Sequence, residues 1–236
     1  MWIEQRVAEP LLPLRVILHG VRGGAFLVQS IVGAIMIGSM LYPTFHFQIV
    51  MGMSPLISGL ANVATTAVVL VLVPFVTKVL NTYGPRPLMI AGPLFSAAGL
   101  FYLGGISADG GYVVDILPAL VPLGIGLAML FVPLQNLALI GVEPQDAGVA
   151  SATVNSTFHI GGSIGLAIFT VIYAGSVDRA IEKGASELDA FTGGYSATFI
   201  ASGIVMLIAS AISFGLMRGT QEDLMPAWSE EDLSAY

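Results

Sequence analysis

The sequence predicts an all-α membrane protein built from six transmembrane helices. Only 10% of its residues are charged and 56% are hydrophobic, whereas soluble domains carry about 25% charged residues. Six apolar stretches each approach the roughly 20 residues that a helix needs to cross a bilayer. These stretches must be helical, because a segment in lipid has to satisfy its backbone polar groups internally. The predicted spans are 24–46, 56–78, 87–106, 115–140, 149–173 and 195–217.

The distribution of basic residues predicts the orientation of these spans. Six of the eight Lys and Arg residues fall on one side of the predicted topology, and the positive-inside rule assigns that side to the cytoplasm. These six are Arg6, Arg15, Arg22, Lys78, Arg86 and Arg218. We therefore expect a multi-pass protein of the plasma or inner membrane with both termini in the cytoplasm. Its parts are a cytoplasmic N-terminal segment (1–22), a six-helix transmembrane bundle (23–217) and an acidic cytoplasmic tail (218–236).

Composition also excludes several function classes. The chain has no cysteine, so it has neither disulfides nor a thiolate metal site. It has no lysine-rich patch that could bind nucleic acid. Hydrolase and nucleotide-binding motifs are absent from the sequence. We therefore expect no enzyme activity, no cofactor, no metal and no nucleic-acid partner, and the lipid bilayer is the first partner that the sequence implies.

The fifth span carries a polar stripe that includes an ionisable residue. Ser151, Asn155, His159 and Ser163 are spaced four residues apart, which aligns them along one side of a helix. We expect this side to face other helices or a water-filled cavity and not lipid. Two interpretations of His159 stay open: a proton or substrate role, since imidazole titrates near neutral pH, or a neutral ring that is hydrogen-bonded to a neighbouring helix.

Further polar residues lie at membrane depth in the other spans. Gln29 in the first span, Asn62 in the second and Gln135 in the fourth could each line a substrate or proton pathway or could join neighbouring helices. Asp115 opens the fourth span, where an acid is either a proton carrier or, as we favour, a helix cap. Gly161 and Gly165 form a GxxxG step, which predicts close helix packing.

Four sequence segments, taken in order, carry a family resemblance. They are SPLISGL (54–60), YGPRPLMIAG (83–92), LPALVPLGIGLAMLFVPLQNLAL (117–139) and DAGVASATVNSTFHIGGSIGLAI (146–168). These segments resemble the C-terminal half of the major facilitator superfamily, and they look most like its fourteen-span drug/proton antiporters. The resemblance covers roughly residues 9 to 218. The six spans would then form one half of a major facilitator fold.

The resemblance implies proton-coupled export of hydrophobic or cationic small molecules by alternating access. It also implies protons and a small-molecule substrate as partners. In the cytoplasmic loop NTYGPRP, Gly84 and Arg86 match the family signature, whereas Asn81 stands where the family has an acid. His159 and the preceding Phe158 stand where the family often has Gln and Arg, so the proton role of His159 rests on the residue itself.

The number of spans departs from the family pattern. The family has twelve or fourteen spans and this sequence has six, and its first residues read like a connection between two halves. We expect a fragment, a truncated reading frame, or a half-transporter that pairs with a missing N-terminal half or with a second copy. The alternative function is a non-transporting membrane scaffold or partner subunit that is inert on its own.

Overall fold

The computed structural model describes residues 20–139 and 147–216, and these residues form a bundle of six long helices. Short connections join the helices, and no strand occurs within the described residues. The helices are α1 (Gly20–Phe45), α2 (Pro55–Tyr83), α3 (Pro85–Leu103), α4 (Leu117–Leu139), α5 (Ala147–Glu182) and α6 (Glu187–Leu216). A π-helical turn, His46–Val50, continues α1, and a second one, Tyr112–Ile116, leads into α4.

All six predicted spans are confirmed as helices that are long and apolar enough to cross a membrane. Several ends differ from the prediction. The first helical segment continues to Val50, α5 continues to Glu182, and α6 begins at Glu187. The start of α6 is fixed by polar groups, because Ser186 accepts a hydrogen bond from the Asp189 N–H at 3.2 Å and donates one to the Asp189 carboxylate at 2.6 Å. The predicted segments 1–22 and 218–236 lie outside the described residues, apart from Gly20–Arg22.

Prolines occupy two kinds of position in the bundle. Pro55 and Pro85 stand at helix starts, where the missing N–H costs nothing. Others lie inside helices, where neighbouring helices of a membrane bundle can satisfy the freed carbonyl groups. These are Pro43, Pro74, Pro93, Pro122 and Pro133. The α-helices therefore continue through these internal prolines.

The helices differ in how much of their surface the bundle covers. α3 packs mainly against α4 and α6, α1 packs against α5 and α6, and α2 packs chiefly against α4. The most apolar windows of α2 and α5 are only 11% and 28% buried, compared with 44–56% for the other four helices. α2 and α5 are thus the flanks of the bundle, and each leaves a long side uncovered.

Candidate functional site

α5 is held against α1 by a seam of small residues. A side chain at Gly33 would overlap the backbone of Phe158, one at Gly161 would overlap the backbone of Ser30, and one at Gly165 would overlap Ala34. Only glycine permits the two backbones to approach this closely. We call Gly33, Gly161 and Gly165 the glycine seam, and it confirms that the GxxxG step serves close packing.

The polar stripe of α5 lies on a side that no described helix covers. Ser151, Asn155, His159 and Ser163 are all exposed in the bundle. Their hydrogen bonds stay within α5: the Asn155 amide donates to the Ser151 carbonyl at 3.1 Å, and the Ser163 hydroxyl donates to the His159 carbonyl at 2.9 Å. The His159 ring meets the Phe158 ring edge-on, with 5.4 Å between centroids. The described residues thus place no second helix against the stripe.

The other predicted pathway residues occupy different surroundings. Gln29 is buried in α1, with 5% of its surface exposed. The Asn62 amide donates to the Thr44 hydroxyl of α1 at 2.9 Å and to the Ser58 carbonyl at 3.1 Å, so Asn62 joins α2 to α1. Gln135 is half-buried in α4. Within the described part of the chain, no hydrogen bond connects these three residues to the α5 stripe.

The two residues of the predicted loop signature lie where α2 meets α3, Gly84 between the two helices and Arg86 in the first turn of α3. Gly84 has φ 76° and ψ −179°, a conformation that L residues with a side chain rarely adopt. Its N–H donates to the Leu80 carbonyl at 2.9 Å and closes the end of α2. Arg86 places its guanidinium carbon 6.0 Å from the centre of the Phe214 ring on α6, within the range of a cation–π contact. The turn is therefore tied to the last turns of α6.

Within the described residues, neither Asp115 nor any group of potential metal ligands forms a second candidate site. The Asp115 carboxylate accepts a hydrogen bond from the Gly111 N–H at 2.7 Å, at the start of the π-helical turn before α4. Asp115 is thus not the N-cap residue that the sequence favoured, since Gly111 holds that position, but its carboxylate binds the backbone of that residue. Among residues 20–139 and 147–216, no cluster of His, Asp and Glu side chains is arranged to hold a metal ion.

A buried histidine that directly follows the last residue of α1 was not predicted as a site residue from the sequence. His46 is 2% exposed, and its ring meets the Tyr195 ring of α6 edge-on, with 5.7 Å between centroids. Tyr195 also contacts Tyr42 and Tyr173, at 6.4 and 4.9 Å between ring centroids. The signal was present, since an imidazole in an apolar span was the criterion applied to His159. Residue 46 was overlooked because the predicted span ended there.

Comparison with known proteins agrees with this architecture. A model of the Major Facilitator Superfamily matches residues 4–166. The puromycin resistance protein pur8 of Streptomyces alboniger is 29% identical over 93% of this chain and 45% of its own length. The tetracenomycin C resistance and export protein of Streptomyces glaucescens is 31% identical over 74% of this chain and 32% of its own length. The cephamycin export protein CmcT of Amycolatopsis lactamdurans is 33% identical over 81% of this chain and 40% of its own length.

The chain spans less than half the length of each of these curated relatives. The family model nonetheless covers more than half of the chain, and the described residues supply six helices that fit a membrane bundle. The chain is therefore a multi-pass membrane protein of a transporter family, not an enzyme, and, as the four ordered segments predicted, a member of the Major Facilitator Superfamily.

Proposed function

We propose that the chain is the C-terminal half of a fourteen-span, proton-coupled exporter of hydrophobic or cationic small molecules that works by alternating access. The relatives whose names describe resistance to or export of puromycin, tetracenomycin C and cephamycin support the export of small organic molecules. The proposal places both termini and the Gly84 turn in the cytoplasm of a cell whose plasma or inner membrane holds the protein.

The observation that carries this proposal is the uncovered polar stripe of α5. Hydroxyl, amide and imidazole groups gain nothing from contact with lipid, and an ionisable residue in a span normally faces a bundle interior or a water-filled cavity. The stripe is exposed in this bundle, and the glycine seam fixes α5 so that the stripe points away from α1. A second bundle on that side, either a missing N-terminal half or a second copy, would give the stripe a cavity to line.

The substrate pathway in this proposal includes residues from four helices. His159, Asn155 and Ser151 line it from α5, Gln29 from α1 and Gln135 from α4. Asn62 contributes from α2 while it joins that helix to α1. His159 would exchange a proton with the cavity, because its imidazole is the one ionisable group of the stripe and lies exposed on the uncovered side of α5. Gly84 and Arg86 hold the cytoplasmic end of the bundle together through the turn and the contact with Phe214.

The decisive experiment measures export by a complete transporter that carries this half. Sequencing the coding DNA upstream of Met1 tests whether companion spans are encoded there, and a protein that joins such spans to this chain is tested for efflux of a fluorescent organic cation. We expect efflux that requires both halves and a proton gradient. If the two halves together move no substrate at any pH, while this chain is stable alone, the scaffold or inert-subunit function is correct instead.

Orientation is tested separately with introduced cysteines, since the chain has none of its own. Asp109 and Lys183 are exposed at one end of the bundle, and Tyr83 is exposed at the other. A membrane-impermeant maleimide added outside cells should label cysteines at positions 109 and 183, whereas position 83 should react only after permeabilisation. Labelling of 109 and 183 from opposite sides would overturn the topology.

A further inference from the structure

His46 lies in a part of the fold that the proposed substrate pathway does not include. His46 is the first residue of the π-helical turn His46–Val50. Its backbone carbonyl accepts a hydrogen bond from the Met51 N–H at 3.1 Å. Such turns are rare within helices and often mark functional positions. The turn packs against α1, α2 and α6, and it precedes Gly52, which has a φ of 65°. The chain therefore departs from regular helix at the residue that carries the imidazole.

The surroundings of His46 suit a neutral ring and not an imidazolium. Its Nδ1 is buried and has no hydrogen-bond partner among the described residues. Its ring contacts Tyr195 on α6, and the tyrosine cluster of Tyr42, Tyr173 and Tyr195 continues from there. The Tyr42 hydroxyl shares a hydrogen bond of 3.2 Å with Thr170 of α5. No side chain of this cluster offers a carboxylate to a protonated His46.

The charged groups of the packed helices do not compensate. α1 has no charged residue after Arg22, and α2 has none before Lys78 at its far end. α6 carries Glu187 and Asp189 in its first turn, but both are exposed, and Asp189 is bound to Ser186. On the turn before α4, whose Tyr112 ring meets Phe47, Asp115 is bound to the Gly111 N–H. On α5, which carries Tyr173, Asp178 and Glu182 are exposed. A proton on His46 would thus be a buried charge with no partner, which is strongly unfavourable in an apolar site. Water would remove this penalty if the turn and α6 moved apart.

We infer that His46 is a proton-binding residue whose protonation is coupled to separation of the His46–Val50 turn from the start of α6. The packed state holds the imidazole neutral against Tyr195, and the separated state hydrates it and accepts a proton at Nδ1. A ligand that binds one state better shifts the population toward that state, so protons favour the separated state. Its use in export rests on the proposed function, whereas the coupling itself is a property of this bundle.

The test follows the distance between the turn and α6 as a function of pH. Nitroxide labels are attached to cysteines introduced at Ile49 and Leu188, which are each 47% exposed, in the otherwise cysteine-free chain in lipid nanodiscs. Electron paramagnetic resonance should show the label distance growing only once the pH falls below about 6.5, the usual value for a hydrated imidazole, and continuing to grow toward about pH 4, because the packed site disfavours the proton. Since one proton is involved, the ratio of separated to packed molecules should rise by at most about tenfold per pH unit.

Matched variants assign the effect to one residue. His46→Gln keeps a polar side chain that cannot titrate, and His46→Phe keeps an aromatic ring against Tyr195, so at least one variant should fold. Both should lose the pH response, whereas His159→Gln, a change on the exposed stripe, should keep it. A parent chain without a pH response would overturn the inference, as would a response that survives in a folded His46 variant or disappears only in His159→Gln.

The same variants separate this inference from the proposed export. If the label distance behaves as expected but His46→Gln leaves the pH dependence of efflux in the complete transporter unchanged, the coupling stands and its use in export fails. If efflux itself is absent, the distance measurement is unaffected, because it needs no substrate and no proton gradient. The two hypotheses can therefore fail independently.

Discussion

The two sides of α5 use small and polar residues for opposite purposes. On the side facing α1, the glycine seam leaves no space for even a methyl group at Gly161. On the other side, Asn155 and His159 are exposed, and the Asn155 amide donates a hydrogen bond to the Ser151 carbonyl of its own helix. The comparison teaches that a small or polar residue in a span does not by itself identify a contact. The side of α5 that packs is the one on which its backbone can come close to the backbone of α1. The uncovered side remains available to a ligand or a partner.

The largest effect is expected when the packed side is disrupted. In Gly161→Leu, the new side chain meets the backbone of Ser30, which cannot move without separating α1 from α5. We expect a loss of about 3 kcal/mol in stability, the upper end of the usual cost of overpacking. Thermal unfolding in detergent, followed by circular dichroism, measures the loss.

Gly148→Ala is the matched control on the same helix. Nothing lies within 4 Å of a Cβ added at Gly148, and alanine is the better helix former by about 1 kcal/mol. Stability should therefore stay the same or rise. Equal melting temperatures for Gly161→Leu and Gly148→Ala would show that the seam does not hold α5 in place.

An intermediate effect is expected for a polar residue that does have a partner on another helix. Asn62→Leu removes the hydrogen bond to Thr44, whose hydroxyl keeps its own bond to the Met40 carbonyl. Interhelical hydrogen bonds in membranes average about 0.6 kcal/mol, and we expect a loss of this size in the same unfolding measurement. A cycle with Thr44→Val provides the control, since the double variant should lose no more than Asn62→Leu alone.

A smaller effect on the bundle is expected from Asn155→Leu. The Asn155 amide bonds only to its own helix, and the side chain is exposed, so the stability of the isolated chain should change by no more than about 0.5 kcal/mol. Efflux by the complete transporter should nevertheless fall, because the proposed cavity loses a polar group. Normal efflux combined with a large loss of stability would reverse the assignment of the two sides.

The smallest structural effect is expected from His159→Ala. The exposed imidazole contacts Phe158 on the same helix, so melting of the bundle should be unchanged. In the complete transporter the variant should weaken proton-coupled export and flatten its pH dependence, which a series of efflux measurements at different pH values can show. An unchanged pH profile would reduce His159 to an inert position on the stripe.

The apolar core of every helix could be predicted from the sequence, but several ends could not. Lipid imposes the length of an apolar span, so the six helices followed from composition alone. α5 continues to Glu182 through a polar segment past the apolar stretch, and α6 starts early because Ser186 and Asp189 cap it. Neither effect depends on hydrophobicity, which was the signal used for the prediction.

The candidate site was predicted only in part. The four-residue spacing correctly placed Asn155 and His159 on one side of α5, because helical geometry fixes that relation. The partner of Asn62 could not be derived, since it requires knowing that Thr44 lies beside α2. His46 stands at the end of the predicted first span, and its contact with Tyr195 of α6, almost 150 positions further along the chain, could not be derived from the sequence. The spacing of residues predicts which side chains share one side of a helix, whereas the contacts between helices depend on how the whole chain folds.

The pairing of α1 with α5 has a consequence for synthesis at the ribosome. The contact between Tyr42 and Thr170 joins residues that are 128 positions apart, and α1 makes few contacts with α2, the helix that follows it. At roughly 5–20 residues per second, the first helix would wait on the order of ten seconds in the bilayer before its partner is translated. During that interval its glycine side and Gln29 would be open to other occupants of the membrane, including insertion factors and neighbouring nascent chains.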